Sequence, residues 1–593
     1  MFSQRRYTYP TMIGKANSML DILLLIALTT LVCAASVHAQ GPLTIEPNTG
    51  MKVHFWLESS LRRVYPRSEP GSAKPLEILA PRNGQVSFQA CLRNDRPSEL
   101  KPTCTVTGAD DLKIQVRRVG CVEMNHITTG TPPEELEGAN FIPGLVPDPL
   151  YPENSARVGP YENVSFWITI KVPADAKPGK RELIVQFDLG QTCPTCPTSQ
   201  TLTTNLIISQ FVVKPRHDFP VIHWYRGEAL WDWYKTGRYE DPKTWEISRN
   251  YLQNMVDHGT NVVTVPMFVA RRETFERPPQ LLKVTEPSPG KYEFDFSDVS
   301  KFIELSKECG FEYFEWSHFW IYWGAENPVR VYKFADGKAV MLWPPSEDGH
   351  GPVFHNFLNQ FLPQFHDFLV KEGVLDKSFF HISDEPGEGK HLENYKKART
   401  FLNENAPWMK GKVMDALSSI QYGRQHLNDI PIPIIQAAQP YIDEKIPHWV
   451  YFCCGPRGAY LQRLLDTPLP KIRMSGWLFY RLGADGFLHW GYNYWHLMEQ
   501  EKLGDPFHDQ CNGDWPGIPP GDPFEVYPGP DGKPIDSIRW EVFAESLQDY
   551  AILQTAGIKP NDPMLADIKS YADFPKNEKW INDALNGTLS DHP

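Results

Sequence analysis

The segment Phe379-Phe-His-Ile-Ser-Asp-Glu-Pro386 sets two carboxylates, Asp384 and Glu385, side by side after a short apolar run. Successive side chains on an extended strand point to opposite faces, so both acids reach one ligand only where the strand ends and the backbone turns. Pro386, which cannot extend a ladder, marks such an end. Two carboxylates in one apolar pocket do not both ionise freely; one is driven toward its protonated form and can protonate a leaving group. The same acids could instead cap a following helix or hold a structural arginine, and a bare Asp-Glu-Pro does not choose between these roles. Their aromatic company favours chemistry on a sugar. Trp316 and His318 end a third expected strand, Tyr451 lies in a seventh, Trp490, Tyr492, Asn493 and Trp495 follow the eighth, and Trp224 and Tyr225 lie in the first. Aromatic rings pack well on sugar C–H faces while their polar tips hydrogen-bond. Single tryptophans are more often core than platform, so the clustering at strand ends carries this reading. Asp415, ending the fifth strand, is a third candidate acid, either holding sugar hydroxyls or closing a buried hydrogen bond.

The elements that would position these residues begin near 218, where apolar strands alternate with amphipathic helical stretches, the pattern of βα repeats. Eight strands are expected at 221–226, 261–266, 311–318, 379–383, 412–416, 433–436, 449–453 and 486–490. Helices are expected between them at 241–258, 298–309, 355–372, 390–405 and 458–465. This predicts a (β/α)8 TIM barrel over 218–555, with its site at the C-terminal strand ends. Pro- and Gly-rich stretches at 277–290, 324–351 and 505–533 read as long loops walling the mouth. Residues 537–553 read as an amphipathic helix, and 556–593 as a helical or irregular tail. Upstream, 41–215 is a series of short alternating runs separated by Pro/Gly turns, which predicts a β-sandwich accessory domain.

The first 39 residues read as a cleaved signal peptide: Arg5, Arg6 and Lys15 precede an apolar run that ends in Ser36-Val-His-Ala39. Export follows, to periplasm, cell surface or medium, with no stable membrane insertion afterwards. The remaining cysteines are Cys91, Cys104, Cys121, Cys193, Cys196, Cys309, Cys453, Cys454 and Cys511, and export permits disulfides among the first five. Cys193-Pro-Thr-Cys196 has zinc-ribbon spacing but no completing pair, so a hairpin-tip disulfide or free thiols are expected there. A chain of 593 residues with 41% hydrophobic and 22% charged residues is ordinary globular protein of several domains. The net charge of −13 removes the electrostatic footprint that nucleic acid requires. No nucleophile elbow, phosphate loop, dinucleotide fingerprint or zinc-protease helix appears in a convincing context.

Five segments occur together in order: His381-Ile-Ser-Asp-Glu-Pro386, Tyr451-Phe-Cys-Cys-Gly-Pro456, Arg473-Met-Ser-Gly-Trp477, Asp485-Gly-Phe-Leu-His-Trp490 with Asn493 and Trp495, and Ser537-Ile-Arg-Trp-Glu541 leading to Asp549-Tyr550. In this combination 220–555 resembles glycoside hydrolase family 123 and the wider domain family around its barrel. The resemblance implies a β-N-acetylgalactosaminidase-like enzyme using substrate-assisted retention, acting on glycans. Asp384 would orient the substrate's 2-acetamido group and Glu385 would act as acid and then base. A tyrosine, Tyr451 or Tyr492, would donate to the acetamido oxygen. No metal and no organic cofactor is implied. The oligomeric state is left open.

Overall fold

The computed structural model describes residues 53–72, 76–190, 198–270, 275–335, 338–498, 500–513 and 517–591. The signal-peptide segment 1–39 and Cys193 and Cys196 lie outside the described residues. Residues Lys52–Pro593 form one compact unit, of mixed β and α/β architecture.

The N-terminal part is two packed sheets. Val53–Ser59, Gly84–Asn94, Glu162–Val172, Lys113–Met124 and Gly144–Tyr151 lie in that order in one sheet; Glu77–Arg82, Ser199–Val212, Gly179–Asp188 and Thr103–Thr107 form the other. Along Gly179–Asp188 the buried residues Leu183, Val185 and Phe187 alternate with exposed neighbours, the period-2 signature of a strand buried on one face. These residues meet Phe88, Phe166, Ile168 and Ile170 of the facing sheet in one core. Glu162–Val172 is buried on both faces, because Trp167 points the other way into a core shared with Tyr225 and Trp540. Of the cysteines for which export permits disulfides, Cys91, Cys104 and Cys121 are free thiols. Cys91 and Cys104 are buried and serve as small apolar side chains.

Eight parallel strands follow, each close to its expected place: β1 Val221–His223, β2 Val262–Val265, β3 Tyr313–Trp316, β4 Ser378–Phe379, β5 Met414–Leu417, β6 Ile430–Pro433, β7 Val450–Tyr451 and β8 Phe487–His489. Six pair in the order β4-β3-β2-β1-β8-β7, while β5 and β6 pair with each other. The ladders are two separate sheets and do not close into one; single parallel bridges, Phe380 to Val413 and Ile434 to Tyr451, span the two gaps.

Helices α1 Pro242–Asp257, α2 Ser297–Cys309, α3 Pro352–Glu372 and α4 Lys390–Asn405 fall where expected. Asp241 caps α1 by accepting from the Lys243 amide, with Pro242 in the first turn. The expected helix at 458–465 is absent. Gln462 is drawn to the Cys453 and Pro456 carbonyls and Arg463 to Glu525, so helix starts only after Pro468, at Leu469–Arg473. The Pro/Gly-rich stretches are also more ordered than loops. Lys291–Asp295, Lys283–Ser288, Tyr332–Ala335 and Lys338–Met341 form a four-stranded sheet, of which Phe294 packs on Phe357 and Phe361 of α3.

The last strong helix, α5 Ile538–Ala556, is not amphipathic in place but buried on nearly every side. Its polar residues answer buried partners: Arg539 binds Asp148 at 3.1 Å, Glu541 binds Arg117 at 2.7 Å, and Asp549 binds Arg473 at 2.6 Å and the Trp477 indole at 2.9 Å. Ahead of it, strand Pro534–Ser537 pairs with Gly144–Tyr151 and with Val526–Pro528, so a C-terminal hairpin completes the N-terminal sheet. The Arg473-to-Trp477 motif therefore locks helix Ser475–Leu482 against α5. Gly476 permits the contact, since a Cβ there would sit 1.8 Å from the Ser546 carbonyl oxygen. Gly476→Ala is expected to cost about 3 kcal/mol or more through overpacking against backbone, read as a lower urea midpoint; an unchanged midpoint would show that the two helices separate freely.

Candidate active site

Strand β4 is only two residues long, and the chain beyond it is held from both sides. The Phe319 and Trp320 amides donate to the His381 and Ile382 carbonyls at 3.2 and 2.9 Å, and the Trp323 amide donates to the Asp384 carbonyl at 2.8 Å. On the other side the Glu385 amide donates to the Ala416 carbonyl at 2.9 Å. Glu385 has φ of 44°, a left-handed backbone that a non-glycine residue adopts at a cost of about 1–3 kcal/mol. This turn brings both neighbours to one side: Asp384 and Glu385 together line a cavity of about 430 Å³. Tyr451, His318, Trp224, Trp490, Tyr494 and the exposed Trp323 line it with them.

Within the cavity Tyr451 donates its hydroxyl to Glu385 Oε1 at 2.7 Å, and the Trp323 indole donates to Oε2 at 3.3 Å. Burial and then the charge of Glu385 hold Asp384 well above the usual carboxylate range, with His381 opposing them. His381 lies beneath the pair. Its Nε2 is 2.7 Å from Glu315 Oε1 and its Nδ1 is 3.0 Å from Asp415 Oδ1. Burial disfavours the charged ring, but the hydrogen bonds to Asp415 and Glu315 outweigh it and push His381 up to about 10. Asp415 also accepts from the Ile382 amide at 3.1 Å and the Tyr395 hydroxyl at 2.6 Å. Glu315 accepts from the Trp224 indole at 2.9 Å and from Thr264. His318 stacks on His381 with ring centres 4.2 Å apart, and burial pushes it well below its ordinary value, so it is a neutral ring. Its Nε2 has no hydrogen-bond partner among the described residues. His318, His381 and Asp415 offer ligand atoms close enough for a metal ion. Both nitrogens of His381 already face carboxylates, however, and an imidazolium donates no lone pair.

The structure thus brings Asp384, Glu385, His318, Tyr451 and Trp490 of the expected set to one cavity. Others are corrected. Trp316 is buried under β4, its indole bonded to Ser378 and its ring packed on Phe365. Tyr492 turns into the core, its hydroxyl on the Tyr251 carbonyl and Asn254 Oδ1. Trp495 is buried with its indole on the Val526 carbonyl. Asn493 acts at one remove, clamping the Arg226 amide and carbonyl at 2.8 and 2.9 Å while Arg226 lines the cavity. Asp415 takes the second of its two expected roles, closing a buried hydrogen bond with His381. Sequence reasoning passed over Arg226, Glu315, Tyr322, Trp323, Cys453, Cys454 and Tyr494. Glu315 carried a signal, a lone acid inside the apolar run Tyr313–Trp316; the others sit on loops whose direction no periodicity encodes.

A carboxylate pair at the C-terminal end of a parallel strand, facing an aromatic-walled cavity, is the equipment of a glycoside hydrolase. Residues 224–556 match the model of the glycoside hydrolase 123 catalytic domain, and the chain belongs to that family. A family 123 glycoside hydrolase from Clostridium perfringens, solved for the details of glycolipid glycan hydrolysis, is similar over 91% of this chain and 97% of that one, at 16% identity and TM-score 0.70. A GH2 beta-galacturonidase from Eisenbergiella tayi, bound to galacturonate, covers 84% of this chain and 73% of that one at 10% identity and TM-score 0.30. No curated protein matches the sequence. Among the described residues no helix is long and apolar enough to cross a membrane.

The folded chain holds the Asp384 proton more tightly than the unfolded chain, so stability present at low pH is lost as pH rises past the ordinary carboxylate value. Asp384→Asn, which never ionises, should therefore raise the thermal midpoint by a few degrees at pH 8, with the gain shrinking toward pH 4. Melting both proteins across this range checks it; a pH-independent difference would contradict the buried charge.

Proposed function

We propose that this chain is an exported, exo-acting glycoside hydrolase that removes terminal β-linked N-acetylhexosamine, N-acetylgalactosamine preferred, by substrate-assisted retention. In this reading the signal peptide ends at Ala39, residues 41–215 are an accessory β-sandwich, and 218–555 are a (β/α)8 barrel whose two ladders are bridged at Phe380 and Ile434. The C-terminal 556–593 is a helical or irregular tail. Likeness to the Clostridium perfringens enzyme makes glycolipid glycans candidate substrates.

The observation that carries the mechanism is that the carboxylates lining the cavity are chain neighbours. Retaining enzymes with their own nucleophile oppose two carboxyls about 5–5.5 Å apart across the scissile bond. Asp415, the nearest other expected acid, is buried and engaged with His381 and Tyr395. With the nucleophile supplied by the substrate's acetamido oxygen, adjacent acids suffice. Asp384 accepts the acetamido N–H and aims its carbonyl oxygen at the anomeric carbon. That hydrogen bond favours ionised Asp384, so the proton shared by the pair passes to Glu385, which delivers it to the leaving oxygen. Glu385 then takes a proton from the water that opens the oxazolinium ring. Tyr451, released from Glu385, donates to the acetamido oxygen. His318 Nε2 and the Arg226 side chain supply polar contacts to the sugar, and Trp224 and Trp490 supply its walls.

Wild type should release p-nitrophenol from the 2-acetamido-2-deoxy-β-galactoside and be inhibited by a thiazoline analogue. Glu385→Gln should lower kcat/KM by about 10²–10⁴. Turnover only of glycosides lacking the acetamido group, or trapping by a 2-fluoro glycoside, would replace substrate assistance with an enzyme nucleophile. The shared proton also sets the pH profile: kcat/KM falls on the basic side as the pair loses it, above the ordinary carboxylate range because Asp384 is raised. Measuring kcat/KM against pH checks it; a basic limb inside the ordinary carboxylate range would assign the proton to another group.

A further inference from the structure

Cys453 and Cys454 are consecutive, and both line the cavity beside Glu385, Tyr451 and Trp490. Both are free thiols. On extended backbone their side chains would diverge, but β7 ends at Tyr451 and the chain turns, with the Cys453 amide donating to the Gly455 carbonyl at 3.0 Å. Gln462 fixes the turn by donating to the Cys453 and Pro456 carbonyls at 2.7 and 2.8 Å. Both side chains therefore reach the cavity wall. Cys454 Sγ in turn lies 3.5 Å from Asp522 Oδ2, the oxygen that accepts from the Trp490 indole at 2.8 Å. A thiol pair is thereby built into one wall of the cavity.

We propose that Cys453 and Cys454 form a redox modification site, joined in the oxidised chain as a vicinal disulfide that makes one wall of the substrate cavity. The oxidant is a small-molecule disulfide of the medium. One cysteine thiolate attacks it and releases one thiol; the second cysteine attacks the resulting mixed disulfide at the protein sulfur and releases the other. The chain gives up two electrons and two protons, and the small disulfide takes them as two thiols. Neighbouring Cα atoms are about 3.8 Å apart, short of the usual disulfide span of about 4.4–6.8 Å. The bond is therefore strained and readily reduced, which makes it a reversible site and not a staple. Closing it replaces two rotatable thiols with a stiff ring and leaves Asp522 Oδ2 to the Trp490 indole. A sugar then meets a pre-ordered wall, and binding tightens because less is lost on ordering. The export proposed above supplies the oxidising surroundings.

The test equilibrates the full mature protein with glutathione redox buffers, alkylates remaining thiols, and measures the mass of the peptide carrying Cys453 and Cys454, with glycoside hydrolysis assayed in parallel. Expected is a peptide two mass units lighter in oxidising buffer, returning to two alkylated cysteines on reduction, with KM rising about fivefold on reduction and kcat little changed. Cys454→Ser should abolish both the mass change and the KM response, and Cys309→Ser, outside the cavity, should keep both. Two alkylatable thiols at every buffer ratio in folded protein, or a KM response that survives in Cys454→Ser, would overturn the proposal. The mass readout does not depend on which sugar is cleaved, so it separates failure of this site from failure of the hydrolytic reading.

Discussion

Three buried titratable groups from three consecutive strands meet under the cavity: Glu315 on β3, His381 just past β4, and Asp415 on β5. Alone, either carboxylate would be strongly disfavoured away from water. The imidazolium between them neutralises one charge and satisfies a donor need of each, and Trp224, Thr264, Tyr395 and the Ile382 amide take up the remaining acceptor capacity. Two acids and one cation leave the layer net negative. Every further negative charge placed above it is opposed, and Asp384 feels both Glu315 and Asp415 in addition to Glu385. Burial and Glu385 are the chief reasons Asp384 keeps its proton; within the layer below, Asp415 and Glu315 add to them while His381 opposes. The same contacts fix strand order, because β3, β4 and β5 cannot slip without unpairing a buried charge.

The second organising contact is between the sandwich and the catalytic region. Arg539 of α5 binds Asp148 of the sandwich and Arg117 of the sandwich binds Asp536 of the hairpin, while Trp167 enters the shared core. The motif residues Arg473, Gly476, Trp477, Glu541 and Asp549 all belong to this framework. Their work is a helix crossing and its ion pairs, and none of them lines the cavity.

What the sequence disclosed follows from which signals are periodic. The eight parallel strands and four of the five helices were legible because apolar spacing is set by backbone geometry. Residues 458–465 look helical by the same rule, yet Gln462 and Arg463 find stronger partners elsewhere, a tertiary override of local preference. Asp384 and Glu385 were legible through their position before Pro386. The aromatic set was only half legible: Trp316, Tyr492 and Trp495 share aromatic character and strand-end placement with Trp490, but partners in the core draw them inward. Trp323 escaped notice because its exposure comes from a turn in which Trp323, Gly324 and Ala325 all take positive φ, a feature no composition rule encodes.

The hairpin at the C-terminal end of α5's approach has a consequence for biogenesis. Strand Gly144–Tyr151 has one neighbour, Lys113–Met124, early in the chain; the other, Pro534–Ser537, comes almost at its end. During vectorial synthesis the first sheet therefore carries an open backbone edge until nearly the whole chain has emerged. Such an edge is a template for wrong pairing between nascent molecules. The sandwich is thus less an independently maturing module than a receptor for the chain's own last strands, and its edge is sealed only when the catalytic region has been delivered behind it.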